Sequence, residues 1–191
     1  KEAEDLKEEY AQPLPGESSG ELPAGKEQAA SLVNLSALQA EYPDIQGWIS
    51  IPGTCVDYPV LQSSADEPEY YLRRTYKGEH RTAGSIFFQW DCSPESKNLV
   101  VYGHNMSDGT MFAVLQKMAD EAFRTEHSKI LLQTSDGLWE YRIAAVLKTD
   151  ITKLSFNRTE FAMRISCLFR RNSSHSRSTN PKPSPARTAA C

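Results

Sequence analysis

No stretch of this 191-residue chain approaches the ~18–20 consecutive apolar residues of a membrane-spanning helix, so no helical span is expected within it. Cysteine is sparse. The four present (Cys55, Cys92, Cys167 and Cys191) lack the close pairing of a thiolate metal site. A disulfide framework is not expected either in a chain this long and this rich in core residues. Acidic residues vanish altogether from the end of the chain: residues 164–191 hold six bases and no acid. Residues 1–33 hold eight acids against three bases, and residues 34–163 seventeen against twelve, so the formal charge of −4 hides three regimes. Arg/Ser tracts bind phosphate, but this basic tail has no interleaved aromatics and the rest of the chain is acidic. A nucleic-acid partner is therefore not expected.

What remains suffices for one domain with a core, 39% of the residues being hydrophobic. Residues 1–33 are acidic, punctuated by Pro13, Pro15, Gly16, Gly20, Pro23 and Gly25, and read as a disordered or loosely helical linker. From Ser31, Leu32, Leu35, Leu38 and Tyr42 recur at helical spacing until Pro43. Short strands follow. Trp48–Ile51 ends at the Pro52-Gly53 turn, and Val56–Leu61 contains Pro59, which suggests an edge position. Residues 66–76 suit a short helix presenting Tyr70, Tyr71 and Leu72. Gly84–Phe88 and Asn98–Tyr102 are continuous apolar runs expected to be buried on both faces. Ser107 or Asp108 is placed to cap a helix from Thr110 in which Met111, Val114, Leu115 and Met118 share a face. Lys129–Thr134 and Leu138–Thr149 read as a hairpin turning through Asp136-Gly137. Six strands and few helices predict a mainly β barrel or sandwich. Periodicity stops after about Met163, and residues 164–191 read as a Ser/Arg/Pro-rich tail.

The segment richest in chemistry runs from Leu99 to Phe112. A strand ends at Tyr102, Gly103 permits a tight turn, and His104 emerges at the strand end, where a rigid scaffold presents reactive groups. A histidine there serves as general acid or base, its ordinary pKa lying near neutrality. A lone His beside Gly is more commonly structural. His80, His104, His127 and Asp108 are the alternative set, as metal ligands, but their spacing is irregular and no metal or other cofactor is expected. Cys55 and Cys92 read as packing residues, without a neighbour that activates either.

Tyr-Gly-His104-Asn-Met followed by Asp-Gly-Thr-Met-Phe112 resembles the histidine motif of class B sortases. Gly47-Trp48-Ile49, Ile51-Pro52-Gly53-Thr54, Asp57-Tyr58-Pro59-Val60, Tyr70-Tyr71-Leu72, Ala83–Phe87, His127-x-x-Ile130 and Gly137-x-x-x-Tyr141 stand in the same order and spacing, so the resemblance covers residues 34–160. It implies a closed β-barrel with added helices and a Cys–His–Arg site. In such a site the cysteine attacks the carbonyl of a sorting signal near the C-terminus of a secreted protein. An amine of peptidoglycan or pilin then resolves the thioester. By matching motif His104 takes the histidine role. The resemblance also implies tethering at the outer face of the cytoplasmic membrane of a Gram-positive bacterium, with an anchor upstream of Lys1.

The family's Thr-Leu-Ser-Thr-Cys-like strand and the arginine strand after it are not found here. Cys191 is the candidate nucleophile, being 87 residues beyond His104, a separation close to the family's, although no apolar strand precedes it. No arginine is carried over. A reading-frame change near Met163 accounts for the loss of acids and periodicity together, and a natural relative with a new tail is the alternative. Either leaves the barrel of residues 34–163 incomplete, with its last two strands missing and an open edge prone to aggregation. The alternative function is a relative that binds the sorting peptide without catalysis.

Overall fold

Residues 2–12 and 32–148 are described in a computed structural model of the chain. The expected strands assemble into one six-stranded sheet. In chain order the elements are α1 (Glu2–Glu9), β1 (Ala11–Gln12), β2 (Leu32–Val33), α2 (Leu35–Glu41), β3 (Ile45–Ser50), β4 (Asp57–Gln62) and a 3-10 turn at Tyr70–Arg73. Then come β5 (Ile86–Phe88), β6 (Val101–Tyr102), a 3-10 segment at Ala113–Ala119, α3 (Glu121–Glu126), β7 (Lys129–Thr134) and β8 (Gly137–Arg142). The sheet runs β6-β5-β4-β3-β7-β8, with β4 and β5 parallel and all other neighbours antiparallel. It is mainly β and curls as a half-barrel. Among the described residues it is open, with β6 and β8 as its edges.

The central strands are apolar at successive positions because both faces are covered. Val60, Ile86 and Phe88 join Ile49, Ile51, Val114, Met118 and Leu132 in one core cluster. Their chain neighbours Leu61 and Phe87 belong to a second cluster with Leu6, Val33, Leu38, Ile45, Trp48 and Tyr71. Side chains alternate across a strand, so adjacent residues serve opposite faces. The helices α1 and α2 close one face, and the 3-10 segment at 113–119 closes the other.

Several expectations are corrected. Residues 2–12, expected within a disordered or loosely helical linker, form α1 and β1 and dock on the sheet. Leu6 is 3% exposed, Lys7 pairs with Asp57 at 2.5 Å, and Glu2 accepts a hydrogen bond from Arg81 at 2.7 Å. Residues 13–31, the rest of that linker, lie outside the described residues. The helix expected from Ser31 starts at Leu35 because Leu32 and Val33 are drawn into a strand with β1. Asn34 caps it, its side-chain oxygen accepting from the Ala37 N–H at 3.1 Å. The Gln133 amide clamps Val33, accepting from its N–H at 3.0 Å and donating to its carbonyl at 2.7 Å. Pro59 is not on an edge strand, since β4 lies between β3 and β5. The Ile51 N–H donates to Val56 at 2.9 Å, and by alternation Pro59 faces Trp48 in a pair that exchanges no hydrogen bonds. Its missing N–H therefore costs β3 nothing, and pairing with β5 begins at Val60. The second run expected to be buried on both faces shortens to β6, a half-buried edge. The hairpin forms as expected, but β8 stops at Arg142. The helix α3, capped by Asp120, has no counterpart in the sequence reading.

Candidate active site

His104 stands two residues past the sheet edge, where β6 pairs with β5 at Phe87 and Phe88. Gly103 is dictated by close approach: a Cβ there would lie 2.5 Å from the Phe112 ring. Phe112 in turn donates its N–H to the His104 carbonyl at 2.9 Å, and Asn105 bridges to Met111. Residues 104–112 are thus a closed loop rather than the cap of a helix. Asp108, expected as a cap, instead accepts from the N–H of Thr110 at 2.9 Å and from its hydroxyl at 2.6 Å. The hydroxyl holds the Asp108 carboxyl below its ordinary pKa.

The loop is also braced from the sheet. Met111 adopts a φ of 56°, which is uncommon for a side chain of its size, and persists because its surroundings fix it. Its side chain is buried, and its N–H donates to the Tyr58 hydroxyl at 3.2 Å. The thiol of Cys55 donates to the Gly109 carbonyl at 3.2 Å. Tyr102, just before Gly103, donates to Gln89 Oε1 at 2.8 Å.

The His104 imidazole is half-buried, and its Nδ1 is buried without a hydrogen-bond partner. Burial lowers its pKa below the ordinary 6.5, the Arg73 guanidinium acts in the same direction, and the Ala83 backbone opposes both. The ring is therefore neutral near pH 7, the form that accepts a proton. Asn105, next in sequence, forms one wall of an open hollow of about 680 Å³ lined mainly by apolar side chains, among them Leu115, Met118, Ile130 and Ile143.

The other candidates are placed elsewhere. His127 is structural: its Nδ1 lies 3.0 Å from the Pro52 carbonyl oxygen, its ring packs on Phe123, and Gly53 leaves room for it. Among the described residues no three His, Cys, Asp or Glu side chains are grouped to hold a metal, so His80, His104, His127 and Asp108 do not make a cluster. Cys55 is exposed, and Cys92 is buried with its thiol pKa raised by that burial. Cys167 and Cys191 lie outside the described residues. The sequence reading missed two contributors, Arg73 and Tyr58. Tyr58 stood inside a matching motif, but nothing local shows that its hydroxyl reaches Met111 across 53 positions.

A family model described as the sortase domain matches residues 49–177, running past Met163. Sortase B of Listeria monocytogenes is 40% identical over 129 residues, which cover 66% of this chain and 51% of that protein. Sortase B of Staphylococcus aureus is 36% identical over 131 residues, 66% of this chain and 52% of that protein. Among solved structures, a substrate complex of S. aureus sortase B superposes with a TM-score of 0.61 at 33% identity, covering 66% of this chain and 58% of that one. L. monocytogenes sortase B superposes with a TM-score of 0.58 at 39% identity, covering 69% and 75%. The chain belongs to the sortase family, and its relatives place it in class B. Members of that family are cysteine transpeptidases. The chain spans about half the length of the curated relatives it matches.

Proposed function

We propose that this chain carries the histidine-bearing half of a class B sortase-type transpeptidase, with His104 as the residue that moves the proton. The observation that carries this reading is the geometry of the 104–112 loop. A half-buried, neutral imidazole is held at a strand end by a glycine contact, a strained Met111 and hydrogen bonds from two sides. In the reaction, the neutral imidazole takes the proton of a cysteine thiol, the thiolate attacks a backbone carbonyl of the sorting signal, and a thioester bond forms as the peptide C–N bond breaks. The leaving amine takes a proton from the histidine. An acceptor amine of peptidoglycan or pilin then attacks the thioester, its proton passing to the histidine as the new amide forms, and the imidazolium returns that proton to the departing thiolate. Cys191 is the thiol assigned to this role. The apolar hollow beside Asn105 suits side chains of an extended peptide. The relatives' Gram-positive sources support action at the cell surface, tethered to the outer face of the cytoplasmic membrane, with residues 34–163 as the sortase-like domain that positions His104.

A second reading, a module that holds the sorting peptide without cleaving it, is favoured by the apolar hollow beside Asn105 and by Cys191 standing in no Thr-Leu-Ser-Thr-Cys-like sequence. One experiment separates the two. The full chain is incubated with thiol-reactive mimics of C-terminal sorting peptides and analysed by mass spectrometry. A covalent adduct on Cys191, formed more slowly in His104→Ala, is the result expected of the transpeptidase. Reversible binding with no adduct identifies the binding module. Neither binding nor adduct sinks both.

A further inference from the structure

Leu6 of α1 and Met111 of the His104 loop pack in different core clusters, on opposite faces of the sheet, yet helix and loop meet. β4 and β5 pair only from Val60 and Ile86 onward. Ahead of that point Pro59 has no N–H to give. The N–H groups of Gly84 and Ser85 donate instead to the carbonyls of Arg81 and Tyr71, each at 2.9 Å. The strands therefore part, and the opening is a cleft of about 20 Å³, room for one water and little else. Glu2 and Ala3 of α1 line it together with Tyr58, Arg81 and Met111. The helix is tied down on either side of this opening. Lys7 pairs with Asp57, the residue before Tyr58, at 2.5 Å, and Glu2 accepts from the Arg81 guanidinium at 2.7 Å.

We propose that α1 is a positioning element for His104, acting through the cleft between β4 and β5, with Arg81 as the residue that couples the helix to the loop. Arg81 faces both sides. Besides pairing with Glu2, it acts on Asp108 of the loop, whose carboxyl is held down first by the Thr110 hydroxyl and N–H and, from farther off, by this guanidinium. On the loop side the receiving residue is Met111. Its φ of 56° persists only while its surroundings enforce it, and α1 closes the cleft behind it. When α1 lifts away, Met111 loses that wall and Arg81 loses its carboxylate. The next residue, Phe112, carries the N–H that holds the His104 carbonyl at 2.9 Å, so slack at Met111 passes directly to the histidine. The two states that such coupling needs are α1 docked and α1 released. Release is a low-energy event, since Leu6 is the one buried residue of the helix and both ion pairs are partly exposed. That His104 moves the proton rests on the reading above, whereas its coupling to α1 is measured without turnover.

The test is amide exchange of the full 191-residue chain, read residue by residue by NMR. Neutralising either partner of the pair, in Glu2→Gln or Arg81→Gln, should speed exchange of the Met111 and Phe112 amides roughly two- to fivefold, the scale of a partly exposed ion pair. The double variant should do no more than the larger single change, because both act on one link. In all three the amides of the β7–β8 hairpin, remote from α1, should stay within about twofold of their parent rates. Leu6→Asp releases α1 while leaving Arg81 in place, and should speed the Met111 and Phe112 amides roughly tenfold or more. Parent rates at Met111 and Phe112 once Leu6→Asp has stripped protection from residues 2–9 overturn the proposal. So do two neutralisations whose effects multiply, or a hairpin that speeds up as much as the loop in the neutralised variants.

Discussion

The two flanks of the sheet are built to different standards. At β4 and β5, Val60, Leu61, Ile86, Phe87 and Phe88 are all at most 2% exposed, because helices and loops cover both faces. At β8 no residue is buried, and Leu138 is 43% exposed. Both flanks have regular hydrogen bonding, so pairing alone does not distinguish them. The difference lies in what covers the faces. The loop bearing His104 is anchored to the covered flank, where its position is fixed from several directions, whereas the hairpin keeps its register with little behind it.

The sharpest way to break this contrast is to truncate one residue on each flank. Phe88→Ala removes a side chain with no exposure, and a loss of about 3–5 kcal/mol is expected in urea denaturation. Leu138→Ser, on the open flank, should change the same measurement by about 0.5 kcal/mol or less. Equal effects would mean that β8 is as well covered as β5. Next in size is Leu6→Ala. This leucine is the one buried residue of α1, and its truncation should cost about 2–4 kcal/mol and speed amide exchange throughout residues 2–9. If the helix were merely resting on the surface, neither quantity would move.

Gly103→Ala should be intermediate, costing about 1–3 kcal/mol, because the new methyl meets a ring and not a flexible chain end. Combining it with Phe112→Leu should recover part of that loss. Additive losses would show that the glycine answers to something other than the ring. The smallest effect concerns His104. Its folded pKa lies below the unfolded 6.5, so stability is fully present above pH 6.5 and declines as pH falls through the folded value. His104→Gln should flatten this decline. Arg73→Gln should raise the His104 pKa in an NMR titration, because one of the two influences holding it down is removed. No change on removing Arg73 would assign the whole depression to burial.

Much of the covered flank was legible in the sequence because burial on both faces leaves uninterrupted apolar runs, as at Ile86–Phe88, and turns leave Pro52-Gly53 and Asp136-Gly137. The motif around His104 was legible for a related reason: a strand end, a glycine and a histidine lie adjacent in the chain. What escaped depended on distant partners. α1 has one apolar anchor in an acidic run, and it docks through Asp57 and Arg81, 50 and 79 positions away. Pro59 misled because a proline is tolerated inside a sheet where its nitrogen faces no ladder bond, a fact that depends on register. Arg73 acts on His104 only through the fold, and no spacing rule connects the two.

The Gln133 clamp on Val33 imposes an order on folding. The two residues are 100 positions apart, and the amide side chain takes the place of a neighbouring peptide group for β2. During synthesis the N-terminal segment leaves the ribosome first, yet it must wait for β7 before its last hydrogen bonds exist. Closing so long a loop early is unfavourable, so the segment that is made first is the one that locks last. Its amides should be among the last to gain protection in a pulse-labelled refolding experiment, after those of β3 and β4.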